Sequence, residues 1–224
     1  MGLLIAFLVV GIWGTHLYYA LSLVTISLSN PWMYFHIMLQ GYLYTGLFIT
    51  AHDAMHGIVV PKNKFANQII GTVSSLLFAG MSYKRLIKNH FDHHRYPGTD
   101  KDPDFYVKSQ NPLVWWAVFM FRYTTITQLI FMAVVFNLLK FWFPEINIWL
   151  MWVIPAFLGS VQLFFFGTYL PHRKPHDENM VPHNARTQRK NHIWAMISCY
   201  FFGYHFEHHD APNVPWWQLY KTKS

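Results

Sequence analysis

Long apolar stretches, separated by short polar and basic segments, dominate the chain. A membrane-spanning helix needs about 20 apolar residues. Four stretches meet that length, namely residues 3–28, 31–51, 123–143 and 146–170. Two more, residues 65–82 and 192–204, are too polar or too short to cross and are predicted to lie at the membrane surface. The pattern predicts an all-α membrane protein in which residues 1–224 form one domain with four transmembrane helices and interfacial helices.

Composition and charge agree with this topology. The chain is 53% hydrophobic and only 12% charged, whereas roughly 25% of a soluble domain is charged. Lys and Arg concentrate in residues 62–108, 173–190 and 221–223, which the positive-inside rule places in the cytoplasm. These cations lie between apolar runs, which indicates a membrane surface and argues against nucleic acid as their partner. The single cysteine, Cys199, excludes a disulfide within the chain and a Cys-ligated iron–sulfur cluster.

Eight of the 14 histidines fall into three clusters with the sequences HDAMH, HFDHH and HFEHH. Residues three and four apart share a face of a helix, so each cluster would present its imidazoles in one direction. Imidazole is a ligand for iron, copper, zinc and nickel, and eight imidazoles exceed the needs of one ion. Nitrogen-rich ligation beside a membrane favours two irons and dioxygen. The predicted ligands are His52, His56, His90, His93, His94, His205, His208 and His209.

Several acidic residues accompany these clusters. A metal-bound histidine usually donates its second N–H to a carboxylate or carbonyl oxygen, so we expect some of these carboxylates to support the ligands; the alternative is that they only solubilise a loop. The candidate catalytic residues are Asp53, Asp92, Asp100, Asp104 and Glu207. His172, at the end of the last apolar stretch, is a ninth candidate ligand, and His183 is the alternative for completing the set.

The histidine clusters and the longer sequence strings around them resemble those of a known protein family. HxxxH followed by two HxxHH sequences resembles the membrane fatty acid desaturase and hydroxylase superfamily, and within it the chain resembles the β-carotene 4-ketolases. The strings that carry this resemblance are FITAHDAMHGIVVP (residues 48–61), HHRYPGTDKDPDF (93–105), FFFGTYLPHR (164–173), PHNAR (182–186) and HFEHHDAPNVPWWQL (205–219).

The resemblance implies an oxygenase that converts β-carotene to echinenone and canthaxanthin, by two hydroxylations at ring carbon 4 followed by loss of water. It implies two iron ions held by the nine histidines, with His172 matching the extra histidine of the superfamily. Thr168 stands where stearoyl desaturases have asparagine. Dioxygen would be the co-substrate. Reduced ferredoxin or a similar donor would supply electrons, since the sequence contains no flavin or nicotinamide motif. The carotenoid would come from the bilayer.

Other functions remain open from the sequence. A related carotenoid hydroxylase or fatty acid desaturase would use the same clusters. A membrane haem electron carrier needs only two histidines, which leaves the HxxHH pairs unexplained, and a metal transporter would predict flux without oxidation.

Aromatic residues near the last two clusters are candidates for the substrate tunnel, or alternatively for a helix–lipid interface. They are Phe164, Phe165, Phe166, Tyr169, Phe201, Phe202 and Tyr204.

Overall fold

The computed structural model describes residues 1–223, and its regular structure is helical apart from one isolated bridge between Thr187 and Tyr204. The prediction of an all-α protein is confirmed. The helices are α1 (Gly2–Leu23), α2 (Pro31–Met55), α3 (Lys64–Ala79), α4 (Tyr83–Arg95), α5 (Pro112–Tyr123), α6 (Ile126–Leu139), α7 (Glu145–His172), α8 (His192–Cys199) and α9 (His205–Asp210). Two 3-10 turns cover Glu178–Met180 and Trp216–Lys221, and π-helical turns interrupt α7 at Trp149–Val153 and Phe164–Tyr169.

Helix α2 is the centre of the fold and packs against α1, α3 and the middle of α7. It begins at Pro31, whose fixed φ suits a first helical turn, and the Asn30 side chain accepts a hydrogen bond from the Trp32 N–H. Gly41 and Gly159 allow α2 and α7 to approach closely, because a Cβ at Gly159 would lie only 3.1 Å from the Gly41 carbonyl oxygen. The carboxyl ends of α2 and α7 therefore meet at one end of the bundle, where their terminal histidines lie.

Two helices, α1 and α7, are long and apolar enough to cross a membrane. Most of α1 faces outward with apolar side chains, as a lipid-facing helix does. Helix α2 has 25 residues, which is long enough, but polar residues such as His36 and Gln40 make it less apolar than α1 and α7. The regular helix of the first predicted span ends at Leu23, earlier than residue 28.

The span predicted over residues 123–143 contains a shorter helix, α6, and begins at a bend. Helices α5 and α6 meet at 88°, because the Thr125 side chain and the Gln128 side chain form a capping box that starts a new helix. Helix α6 has 14 residues, about 21 Å of helix, and none of its residues is buried. If α5 and α6 count as one broken span, the chain has up to three candidate spans.

The two segments expected at the membrane surface, residues 65–82 and 192–204, correspond to helices α3 and α8. Each of these helices precedes a helix that carries a histidine cluster. Helix α3 ends at Gly80, whose φ of +65° closes the helix in the left-handed conformation. Ser82 then caps α4 through the Arg85 N–H, and α4 carries the second histidine cluster. Helix α8 ends at Cys199 and is capped by Tyr200, and α9 with the third cluster begins at His205.

Candidate metal centre

The structure brings the nine candidate histidines into two neighbouring groups at the carboxyl ends of α2 and α7. In each group, one nitrogen of every imidazole lies within 4.8 Å of the others. The first group contains His52, His56, His90, His94 and His208, and the second contains His93, His172, His205 and His209. All four members of the second group are buried, whereas His56, His90 and His94 of the first are half-buried. Both groups could hold a metal ion.

The HxxHH clusters divide between the two groups in opposite ways. On α4, the i,i+4 pair His90 and His94 belongs to the first group while His93 belongs to the second. On α9, the i,i+4 pair belongs to the second group while His208 belongs to the first. His93 is adjacent in sequence to His94, as His208 is to His209, and adjacent residues of a helix point to different sides. Each of these short helices therefore serves both groups.

Asp102 fixes the orientation of His93. The Nδ1 of His93 lies 3.0 Å from both carboxylate oxygens of Asp102, so its N–H donates there and Nε2 faces the second group. Asp102 is buried and also accepts hydrogen bonds from the backbone N–H groups of Gly98 and Asp104, each at 2.8 Å. The loop after α4 thus wraps around this carboxylate and presents it to one ligand nitrogen.

Two further histidines are oriented through Nδ1. His172 Nδ1 lies 2.9 Å from the backbone carbonyl oxygen of Asn184, to which it can donate. His52 Nδ1 lies 3.3 Å from Asp53, whose other oxygen accepts the Trp216 N–H at 3.1 Å. Such outer partners fix the tautomer of a metal-bound histidine and leave Nε2 as the ligand atom.

The inward-facing nitrogens fit a shared cation better than they fit one another. His172 Nε2 is buried and has no hydrogen-bond partner within residues 1–223. His93 Nε2 lies 3.4 Å from His205 Nε2 and 3.1 Å from His209 Nε2. Metal–nitrogen bonds of about 2.1 Å place neighbouring ligand nitrogens at similar separations. The donor set therefore fits transition-metal ions, for which imidazole is a common ligand.

The electrostatics of the centre also suit cation binding. Burial, together with neighbouring imidazoles such as His56 and His93, lowers the pKa of His94 to about 2. Burial likewise places the pKa of His208 well below its usual range, so both rings are neutral and offer lone pairs. At His93, burial alone would lower the pKa, but the carboxylates of Asp102 and Asp104 raise it to about 9. These carboxylates therefore favour a positive charge at this position.

Comparison with known proteins agrees with this arrangement. The sequence profile of the family described as Fatty acid desaturase matches residues 29–145 and 108–223. The chain belongs to the fatty acid desaturase family. No solved structure matches the chain significantly.

Curated members of the family narrow the relationship. The chain is 41% identical to a β-carotene ketolase of Paracoccus sp. (strain PC1) over 184 residues, 81% of this chain and 75% of the relative. It is 34% identical to a zeaxanthin 4-ketolase of Chlamydomonas reinhardtii over 99% of this chain and 53% of the relative. It is 37% identical to a β-carotene 4-ketolase of Haematococcus lacustris over 80% of this chain and 58% of the relative. The resemblance to the ketolases is confirmed.

The predicted carboxylates have different surroundings. Asp53 contacts His52, and Asp104 lies 4.0 Å from His93 Nδ1 and accepts a hydrogen bond from the Tyr123 hydroxyl. Asp92 instead forms a 2.8 Å ion pair with Lys88 on the outer face of α4, and Asp100 is exposed on the following loop. The interpretation of these two as supports for ligands is therefore corrected, because neither side chain faces the histidine groups.

Glu207 and His183 are also placed outside the direct ligand set. Glu207 is buried on α9, but its Oε2 has no hydrogen-bond partner within residues 1–223. His183 lies 3.6 Å from Asp210, and its ring centroid is 5.5 Å from that of His209. Neither residue belongs to either histidine group, whereas His172 does.

Asp102 is the residue that the sequence-based selection missed. Asp100, Asp102 and Asp104 alternate along one loop, and no periodicity of a regular helix or strand selects among them. No local signal separates Asp102 from the other two, because its burial and its contact with His93 depend on the tertiary path of the loop. The structure selects Asp102 by burial and by its contact with His93.

A cavity of ≈ 660 Å³ begins at the histidine groups and continues between α2, α3, α6 and α7. His52, His90, His93 and His205 line the end near the metal centre, and most of the remaining wall is apolar. Of the seven aromatic residues expected to form a tunnel, only Phe202 lines it. The other six do not line this space, where α6, beyond the bend at Thr125, forms part of the wall.

Proposed function

We propose that this protein is a β-carotene 4-ketolase that uses dioxygen and two iron ions. The observation that carries the proposal is the juxtaposition of two groups of inward-facing imidazoles with the end of a long, mainly apolar cavity. The family and the curated ketolase relatives supply the substrate class. The expected products are echinenone and canthaxanthin.

The overall reaction consists of two oxygen insertions at one carbon. In each round, one oxygen atom of dioxygen enters a C–H bond, and the other leaves as water with two electrons and two protons from a donor. The second round gives a geminal diol at carbon 4, which loses water to form the ketone. The bound irons would supply the activation of dioxygen.

The protein would hold the two irons, orient the substrate ring and shield the reacting carbon from water. The nine histidines are proposed as the iron ligands, with Asp102 and Asp53 holding His93 and His52 in the tautomer that directs Nε2 inward. Asp104 and Tyr123 would stabilise the cavity wall next to His93. The apolar wall would position the ring and exclude water from the reacting carbon.

For the membrane topology, we propose four crossings, by α1, α2, the bent α5–α6 pair and α7, with the histidine groups on the cytoplasmic side. The amino end of α1 lies against the backbone of Val59, near the carboxyl end of α2. The same end of the bundle carries the basic segments, which the positive-inside rule assigns to the cytoplasm. Substrate would then reach the cavity sideways from the bilayer.

Electrons would come from an acidic carrier such as reduced ferredoxin. Lys190 lies 4.2 Å from the Trp194 ring centroid, and Lys223 lies 4.8 Å from that of Tyr204, the residue before α9. Opposite charges accelerate encounter. Lys190→Glu with Lys223→Glu should slow ferredoxin-driven turnover at low salt, whereas Lys140→Glu, on the opposite turn, should not. Equal rates in all three proteins would contradict this docking site.

Expression in cells that accumulate β-carotene tests the function. The expected result is conversion to 4-keto carotenoids, with about two irons per chain in the purified protein and no haem absorption. Hydroxylated carotenoid alone would favour a hydroxylase, and an unchanged pigment profile together with altered fatty acids would favour an acyl-chain enzyme. A Soret band without non-haem iron would overturn the proposal.

A further inference from the structure

The cavity extends far beyond the histidine groups. On α7 its lining residues recur every three or four positions from Trp149 to Thr168, which corresponds to about 28 Å of helix. This is close to the hydrocarbon thickness of a bilayer, about 30 Å. The space therefore suits a rigid, linear molecule held along the membrane normal, with one end at the histidine groups and the other near the opposite membrane surface.

The end remote from the histidines is formed by α6 and the start of α7. Phe136 and Trp149 pack with ring centroids 5.1 Å apart, and both line the cavity. Near the other end of α6, Tyr123, the last residue of α5, contacts Asp104 beside His93. Helices α6 and α7 are therefore antiparallel walls, with the carboxyl end of α6 at the remote end of the cavity.

Asn137 is the polar residue of this remote wall. It lines the cavity next to Phe136, and its Nδ2 donates one hydrogen bond to the Ala133 carbonyl oxygen at 2.8 Å. The second N–H of the amide has no hydrogen-bond partner within residues 1–223. Asn137 is exposed in the protein alone, so this N–H is open to a polar group of a molecule bound in the cavity.

We propose that Asn137 is a recognition residue for the far end of the substrate, and that it selects a carotenoid whose far ring already carries a 4-keto group. This inference rests on the proposed function. The free amide N–H of Asn137 would donate to the ketone oxygen. A molecule oxidised once, released and rebound in the reverse direction places its ketone at Asn137 and its unoxidised ring at the histidine groups. The product of the first reaction thereby gains affinity as the substrate of the second.

Binding to the metal-free full-length protein tests this without turnover. Trp149 and Trp152 line the remote end, so a bound polyene should quench tryptophan fluorescence. In lipid nanodiscs the wild type should bind echinenone about fivefold more tightly than β-carotene, the gain expected from one hydrogen bond. Asn137→Leu should bind the two equally, by lowering affinity for echinenone only.

Two further variants separate recognition from a structural effect. Asn137→Gln retains the amide and should restore part of the preference for echinenone. Asn137→Leu combined with Leu138→Asn keeps the composition but moves the amide off the cavity wall, since Leu138 does not line this space, and should not restore it. A preference that survives in Asn137→Leu, or no preference in the wild type, would overturn the proposal.

Turnover of the iron-loaded enzyme gives the second readout. With β-carotene supplied, Asn137→Leu should slow the second ketolation about fivefold more than the first, so that echinenone accumulates at the expense of canthaxanthin. Equal slowing of both ketolations would contradict a role in recognising the far ring. If the wild type ketolates neither ring, the proposed function fails, whereas the binding comparison still tests Asn137 on its own.

Discussion

The two histidine groups differ in burial and in support, although they use the same type of ligand. The second group is entirely buried, and two of its four rings are held from outside, His93 by a carboxylate and His172 by a backbone carbonyl. The first group has five rings, of which three are half-buried, and its supporting carboxylate is Asp53 on His52. The comparison indicates one site that is buried in the core and supported on two rings, beside one site that is more accessible.

Removal of a ligand from the buried site should have the largest effect. We expect His93→Ala to lower turnover by about three orders of magnitude or more, as for residues that act as one catalytic unit, because it removes one of the four imidazoles of the buried group. Product formation and iron content are the measurements, with membrane insertion as the control. Retained activity in correctly inserted protein would remove His93 from the ligand set.

Replacement of the carboxylates that hold His93 and His52 should weaken metal binding to different extents in the two groups. Asp102→Asn should weaken metal binding at the second group by about 10- to 100-fold, the usual range for such partners. Asp53→Asn should have a smaller effect at the first group, because its contact with His52 is longer, 3.3 Å against 3.0 Å. Metal titration of both variants checks the order, and a larger loss in Asp53→Asn would contradict it.

Chelation should distinguish the sites by rate. Because three of the five rings of the first group are half-buried, we expect a chelator to remove iron in two phases, the faster of which empties the first group. The slower phase should accelerate in Asp102→Asn while the faster phase is unchanged. A single phase involving both ions would show that the difference in burial does not control metal loss.

The smallest effects are expected at the two acidic residues that face away from the site. Asp92 pairs with Lys88, whose side chain is 76% exposed, and surface pairs of this kind contribute at most about 1 kcal/mol. Asp92→Asn and Asp100→Asn should therefore keep turnover and metal content within about twofold of wild type. A loss as large as that in Asp102→Asn would mean that the loop changes conformation in the working enzyme.

The sequence was informative wherever a local rule connects spacing to geometry. The i,i+3 and i,i+4 positions of the HxxHH clusters predicted converging imidazoles, and all nine candidates lie in the two groups. The division of each cluster between groups was not predictable, because it depends on how α4 and α9 are rotated relative to each other. The choice of Asp102 over Asp100 likewise depends on the tertiary path of a loop.

For the fold, too, features set by local sequence were predictable, whereas features set by long-range packing were not. Apolar length predicted α1 and α7 as spans, with approximate ends. The angle between α5 and α6 was not predicted because apolar length says nothing about helix direction, and the capping box becomes decisive only when Gln128 turns back on Thr125. The cavity, which depends on that bend, could not be located from apolar periodicity alone.

The opposite division of the two HxxHH helices has a mechanical consequence. Because α4 and α9 each contribute imidazoles to both groups, a tilt or shift of either helix would change the geometry of both histidine groups together. The separation between two bound ions would thus be set by the relative position of α4 and α9. Any movement of one helix that widened one histidine group would also change the spacing of imidazoles in the other.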